Sequence, residues 1–244
     1  MSITKVIAAV AIPLLWNNTL LPHLRLDQRG RTVAHAAFAT GYAVMLGGHP
    51  NWGSPRGVRY GLASTAAVSA GYAVALAIPA IRDRLAEFGE RGRIVEAAFG
   101  DGPVVDGPVV DDVAADDVAA DDVAVGGAVI DPAERVVVHI PIGTVYTEEL
   151  IFRATLDPLL DSALGPRVGT VAAAATFGLW HIHPARVAGD SVIATVAATT
   201  LGGLVFATLG RRADSVTAPA LLHFALNAGG VVAPLLAERR RPAG

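Results

Sequence analysis

Long runs without charged residues alternate with short charged segments along most of the chain. A helix needs about 20 mostly apolar residues to cross the bilayer core, so each long run predicts a membrane-spanning helix. The fourth run reaches that length only if it continues to about Leu156. The pattern therefore predicts about seven spans, with an eighth if one short segment is re-entrant. The runs cover residues 6–24, 32–55, 61–81, 136–147, 168–186 (up to the arginine), 191–210 and 215–237.

The composition agrees with a membrane protein. Hydrophobic residues make up 52% of the 244 residues, charged residues only 17%, and the mean hydropathy is +0.48. A soluble domain carries about 25% charged residues. Backbone groups inside lipid must hydrogen-bond within their own segment, and the runs show no alternating pattern, so helices are expected. The predicted fold class is all-α, a polytopic transmembrane helical bundle.

The segment between the third and fourth runs differs from the rest. A charged, helix-competent piece is followed by five-residue repeats rich in paired Asp, spanning residues 101–125. Such a composition predicts a disordered acidic loop, and calcium binding is a weaker alternative because the ordered ligand set of a calcium loop is missing. We therefore divide the chain into N-terminal spans (1–81), a charged helix with the loop (82–134), a C-terminal transmembrane core (135–237) and a basic tail (238–244).

Charge and residue usage limit the function classes. A net charge of −3 gives no reason to expect nucleic acid as a partner. The chain has no cysteine, which excludes disulfides, thiolate metal sites and cysteine nucleophiles. Lys5 is the only lysine, and this arginine bias predicts a GC-rich prokaryotic source. The expected location is the cell membrane of a prokaryote, with the lipid bilayer as a partner.

Glu148, Glu149 and Arg153 stand out because they interrupt an apolar run. A charged side chain at the centre of a membrane helix costs about 2.5–3.5 kcal/mol, so this cluster indicates a functional site. Residues four apart share a helix face, so Glu149 and Arg153 are predicted to pair. Glu148 lies about 100° around the helix and is predicted to be free for chemistry.

Two later runs carry further polar insertions at helical spacing. Phe177 and His181 share a face, as do His223 and Asn227. A carboxylate and an imidazole can hold and deprotonate a water molecule. A histidine and an asparagine can donate hydrogen bonds to the oxyanion that develops on an amide carbonyl. If these faces meet in one cavity, they suffice to hydrolyse a peptide bond.

These three motifs, in this order, resemble those of the CAAX protease and bacteriocin-processing (CPBP, or Abi) intramembrane proteases, which include the type II CAAX prenyl endopeptidases. The resemblance covers roughly residues 136–234. It implies that Glu148 activates water and that His181 helps to hold that water. It also implies that His223 and Asn227 line the oxyanion site, while Glu149 and Arg153 form a supporting pair. The implied substrate is a membrane protein or peptide.

Several alternatives remain open at this point. Glu148, His181 and His223 could ligate zinc, although Glu-x-x-x-Arg is not a zinc-binding signature, so the expected cofactor is none or zinc. The chain could instead be a non-proteolytic immunity or partner protein. A proton-coupled transporter with Glu148 and Glu149 as the relay is a further alternative. The remaining histidines, including His139 and His183, are expected to be structural.

Overall fold

The computed structural model describes residues 2–99 and 130–240, with side chains for 2–90 and 130–240. No β-strand occurs in these residues, so the all-α prediction is confirmed. The acidic repeat predicted to form a disordered loop lies outside the described residues. The helices are α1 (Ile3–His23), α2 (Gln28–Leu46), α3 (Pro55–Ala77), α4 (Pro79–Phe99), α5 (132–164), α6 (Pro166–Trp180), α7 (Ile182–Val187), α8 (Val192–Ala213) and α9 (Thr217–Glu238).

Four of the described helices are long and apolar enough to cross a membrane, namely α1, α3, α8 and α9. Large apolar side chains on their outer faces are exposed, such as Ile193 at 84% and Leu201 at 64%. In water such a surface would be unfavourable, whereas lipid solvates it. The chain is therefore an integral membrane protein, and a total of seven spans remains a prediction.

Two predicted spans differ from the helices that form. The run 32–55 was predicted to hold one span, whereas α2 begins at Gln28 and ends at Leu46, because Gly47 adopts a left-handed backbone with φ of 75°. The run 168–186 was expected to be one span, but it breaks at His181, where φ is −90° and ψ is 8°. Pro184 explains this second break, since proline has no N–H to donate and belongs in the first turn of a helix.

Helix starts follow local sequence signals. The Asp27 carboxylate accepts a 2.7 Å hydrogen bond from the Gly30 N–H at the start of α2. Ser54 plays the same part for Gly57 at 3.1 Å, directly before Pro55, which suits the first position of α3. The third predicted span correspondingly begins earlier than its charge-free run, and it ends before Pro79.

The core of the bundle surrounds α5. Ile151, Phe152 and Leu156 are completely buried there, among residues of α1, α2, α6 and α8. α6 and α8 pack closely in this core, since a Cβ on Gly178 of α6 would overlap the Thr200 hydroxyl of α8. Among the helices formed from apolar runs, α5 carries the most charged residues, and other helices enclose it. This position keeps its polar groups away from lipid.

Candidate active site

Glu148 lies between two segments of α5 that have wide, π-type turns, Arg135–Tyr146 and Glu149–Leu156. Threonine hydroxyls donate to carbonyls five residues earlier in this helix, from Thr147 to Ile142 and from Thr155 to Leu150. π-type turns are rare and occur frequently at functional sites. The local backbone of α5 therefore sets the two glutamates apart from an ordinary membrane helix.

Glu149 is completely buried and has two partners. Its Oε2 lies 3.5 Å from Nε of Arg153, the neighbour that the four-residue spacing predicted. Its Oε1 accepts a 2.9 Å hydrogen bond from Nδ1 of His223 on α9. This second contact was not predicted, and it ties the first motif directly to the third.

Glu148 is also buried, with 6% of its surface exposed. The indole Nε1–H of Trp180 donates to its Oε1 at 3.1 Å. Its Oε2 lies 3.7 Å from Nε2 of His223 and has no hydrogen-bond partner among the described residues. The carboxylate that was expected to be wholly free is therefore held at one oxygen and open at the other, while the His223 ring lies between both glutamates.

Arg153 is almost fully enclosed, with 2% of its side chain exposed. Its Nη1 lies 3.6 Å from Oδ2 of Asp157, one helical turn further along α5. The guanidinium also lies over aromatic rings, 5.0 Å from the centre of Phe177 and 5.6 Å from that of Phe206. Cation–π attraction adds to the two carboxylates in stabilising the buried charge.

His181 and Asn227 each bond to their own helix. Nδ1 of His181 lies 2.8 Å from the carbonyl of Phe177, and since a carbonyl only accepts, Nδ1 carries the proton. In the neutral ring Nε2 is then a free acceptor. The Asn227 amide donates to the carbonyl of His223 at 3.1 Å. The Phe177 ring lies between the histidines, 4.8 Å from His181 and 6.2 Å from His223.

Two residues of this cluster were missed by the sequence reasoning. Asp157 stands four residues after Arg153, so the spacing that predicted the Glu149 contact could have found it as well. From the sequence, packing was the expected role of Trp180, with a place in the wall of a substrate channel as the alternative. A buried indole N–H is a donor that needs an acceptor, and that requirement was the available signal for its contact with Glu148.

His139 contacts residues outside this cluster. Nδ1 of His139 lies 2.8 Å from the Thr32 hydroxyl, and Nε2 lies 3.3 Å from Glu134. Glu134 in turn accepts two hydrogen bonds from Arg29, which lower the pKa of its carboxyl. This chain of polar contacts ties α2 to the start of α5.

The positions of the acidic and histidine side chains bear on the zinc alternative. In the part of the chain that the structure describes, no three His, Asp or Glu side chains come together in a way that could hold a metal ion. Glu148, His181 and His223 therefore do not form a ready-made zinc site. The cluster instead offers an open carboxylate oxygen, oriented histidines and a buried guanidinium.

Comparison with known proteins gives one family match. The family described as "Type II CAAX prenyl endopeptidase Rce1-like" matches residues 135–229, which include all three motifs. No curated protein and no solved structure matches the chain significantly. The match leaves out Asn17 and Asn18, whose amides nevertheless donate to the carbonyls of Trp180 and Leu179 within the second motif.

Proposed function

We propose that this chain, which belongs to the CAAX protease family through residues 135–229, hydrolyses peptide bonds of membrane-associated proteins or peptides with a water activated by Glu148. The observation that carries the proposal is the buried Oε2 of Glu148, which faces Nε2 of His223 at 3.7 Å and has no hydrogen-bond partner in the part of the chain that the structure describes. That distance exceeds a direct hydrogen bond, and both atoms can contact one water molecule.

The chemical step follows from this arrangement. Glu148 Oε2 takes a proton from the water as the water oxygen attacks the peptide carbonyl carbon, giving a tetrahedral intermediate with a negative oxygen. The same carboxyl then gives the proton to the leaving nitrogen as the carbon–nitrogen bond breaks, so the base is regenerated. The hydrogen bond from Trp180 holds Oε1 throughout and keeps Oε2 directed at the water.

His223 and Asn227 supply the oxyanion donors in this proposal. Glu149 fixes the His223 ring through Nδ1, so Nε2 is the nitrogen directed at the reacting carbonyl. A hydrogen on Nε2 is what lets this ring donate to the oxyanion. Asn227 lies one turn further along α9. In the proposed step its amide leaves the carbonyl of His223 and donates to the substrate instead.

The supporting roles complete the site. In this proposal Nε2 of His181 accepts a hydrogen bond from the attacking water, since Nδ1 is bonded to the Phe177 carbonyl. Arg153 lies between Glu149 and Asp157, and its positive charge compensates both buried carboxylates. The family match favours this hydrolase over an immunity protein or a proton-coupled transporter. None of the contacts described above supports either alternative separately.

The lipid bilayer and a membrane protein or peptide are the proposed partners, and a prokaryotic cell membrane is the proposed location. The test compares the protein termini in membranes from cells that carry the intact chain, Glu148→Gln or Asp161→Asn. Asp161 is a matched control because it lies on the same helix but pairs with Arg211 at the surface. New termini should appear with the intact chain and Asp161→Asn, and be missing with Glu148→Gln. Identical termini in all three membranes would contradict the proposal.

A further inference from the structure

The break between α6 and α7 leaves backbone groups without their usual helical partners. In a continuous helix the carbonyls of Leu179 and Trp180 would accept from the N–H groups of His183 and residue 184. Residue 184 is proline and has no N–H, so the Trp180 carbonyl needs another donor. The Leu179 carbonyl and the His183 N–H are separated from one another by the turn at His181.

Two asparagines of α1 satisfy these groups. The Asn17 amide donates to the Trp180 carbonyl at 2.7 Å. The Asn18 amide donates to the Leu179 carbonyl at 3.0 Å, and its carbonyl oxygen accepts from the His183 N–H at 2.8 Å. Asn18 thereby bridges the Leu179 carbonyl and the His183 N–H, which would bond to one another in a continuous helix. It caps the end of α6 and the start of α7 at the same time.

The backbone of α1 is suited to this double contact. Neighbouring residues of an α-helix point about 100° apart and rarely reach the same partner. The segment Trp16–Leu20 instead has wide, π-type turns, and Asn17 and Asn18 both contact α6.

We propose that Asn17 and Asn18 are positioning residues of the active site, which act on Glu148 through Trp180. They fix the backbone of Trp180 at the helix break, and that position allows the indole Nε1–H to reach Oε1 of Glu148 at 3.1 Å. Asn17 is itself 5% exposed, and a buried amide with a satisfied donor holds its partner in one place. The effect of the two asparagines on catalysis rests on the proposed function, whereas the positioning of Trp180 depends only on the observed contacts.

The experiment replaces each asparagine by leucine, which has a similar size and cannot hydrogen-bond, with Thr19→Ala as the control. Thr19 is the next residue of α1 and is exposed. All variants are compared in a Trp16→Phe, Trp52→Phe background of the full chain, which leaves Trp180 as the single tryptophan out of three. Acrylamide quenching of its fluorescence then measures how well Trp180 is held, without any need for a substrate.

Both leucine variants should increase the quenching of Trp180 in folded protein, and Thr19→Ala should not. On a cleaved peptide they should lower kcat by about 10²-fold, since a misplacement of 1 Å costs that much, and change KM little. Unchanged quenching and unchanged kcat in both variants would overturn the proposal. A lower melting temperature with unchanged quenching and unchanged kcat would also overturn it, since it would assign the asparagines a structural role alone.

If the leucine variants do not fold, Asn18→Asp decides, because it keeps an acceptor for the His183 N–H and replaces the donor to Leu179 by a carboxylate oxygen that cannot donate when ionised. Increased quenching of Trp180 in this variant supports the positioning role, and parental quenching overturns it. If the parent protein cleaves no membrane peptide, the proposed function fails, while the fluorescence measurement still tests the contact between α1 and Trp180.

Discussion

A single hydrogen bond joins His223 to Glu149, from Nδ1 to Oε1 at 2.9 Å, across 74 residues of sequence. Both side chains are nearly excluded from the surface, at 6% and 0% exposed. Hydrogen bonds to an ionised group are shorter and roughly twice as strong as neutral ones. Glu149 therefore has two tasks, since it balances the charge of Arg153 and orients the ring that faces Glu148.

The orientation of His223 leads to a first prediction. His223→Ala and Asn227→Ala should each lower the rate of the chemical step by about 10²–10³, the cost of losing one oxyanion donor. Single-turnover cleavage by purified protein measures this step. His23→Ala, at an exposed position at the end of α1, should cleave at the parental rate. Cleavage at the parental rate by both variants would show that neither His223 nor Asn227 takes part in the catalytic step.

The burial of Arg153 leads to a second prediction, which concerns stability. Arg153→Ala leaves Glu149 and Asp157 as uncompensated buried carboxylates, and removing one partner of a buried pair costs about 3–5 kcal/mol. Arg211→Ala breaks a pair whose side chains are 33% and 26% exposed, and a surface pair contributes about 0–1 kcal/mol. Thermal unfolding in detergent should show a much larger loss for Arg153→Ala. Equal melting temperatures would contradict the role of Arg153.

Metal removal gives a third prediction. We expect the purified protein to cleave peptide after exhaustive chelation, because the proposed step needs only side chains of the chain itself. The measurement pairs metal analysis with activity before and after chelation. Stoichiometric zinc, together with activity that disappears on its removal and returns on its addition, would overturn the step. Glu148, His181 and His223 would then be reassigned as ligands.

The acidic repeat gives a fourth prediction. A deletion that joins Gly100 to Ala128 should leave membrane insertion and cleavage intact, because five-residue repeats of paired acids form no core of their own. Membrane fractionation and cleavage rates check the two properties separately. Normal insertion with lost cleavage would show that the repeat recruits a substrate or a regulator.

Local spacing made part of this site predictable. The approach of Glu149 to Arg153 follows from the four-residue repeat of a helix, and the same rule would have found Asp157. The contacts of Glu149 with His223 and of Glu148 with Trp180 depend on how α5, α6 and α9 pack, which spacing along one helix does not encode. The sequence singled out the three motifs that the structure brings together, but it did not indicate the hydrogen bond that holds Oε1 of Glu148.

The same distinction applies to the fold. Absence of charge predicted where helices lie, since lipid tolerates few charged groups. It did not predict where α2 ends or where α6 breaks, because Gly47 and Pro184 act through backbone geometry and not through hydropathy. The contact of Asn17 with α6 had no sequence signal beyond the polarity of the asparagine itself.

The most direct test of the central claim is the single-turnover cleavage rate of Glu148→Gln. Glutamine has nearly the same size and can still accept the hydrogen bond from Trp180, but it cannot take a proton from water. The variant should melt close to the parent and cleave slower by about 10²–10⁴-fold, the contribution of a positioned general base. Cleavage at the parental rate by folded Glu148→Gln would contradict the account.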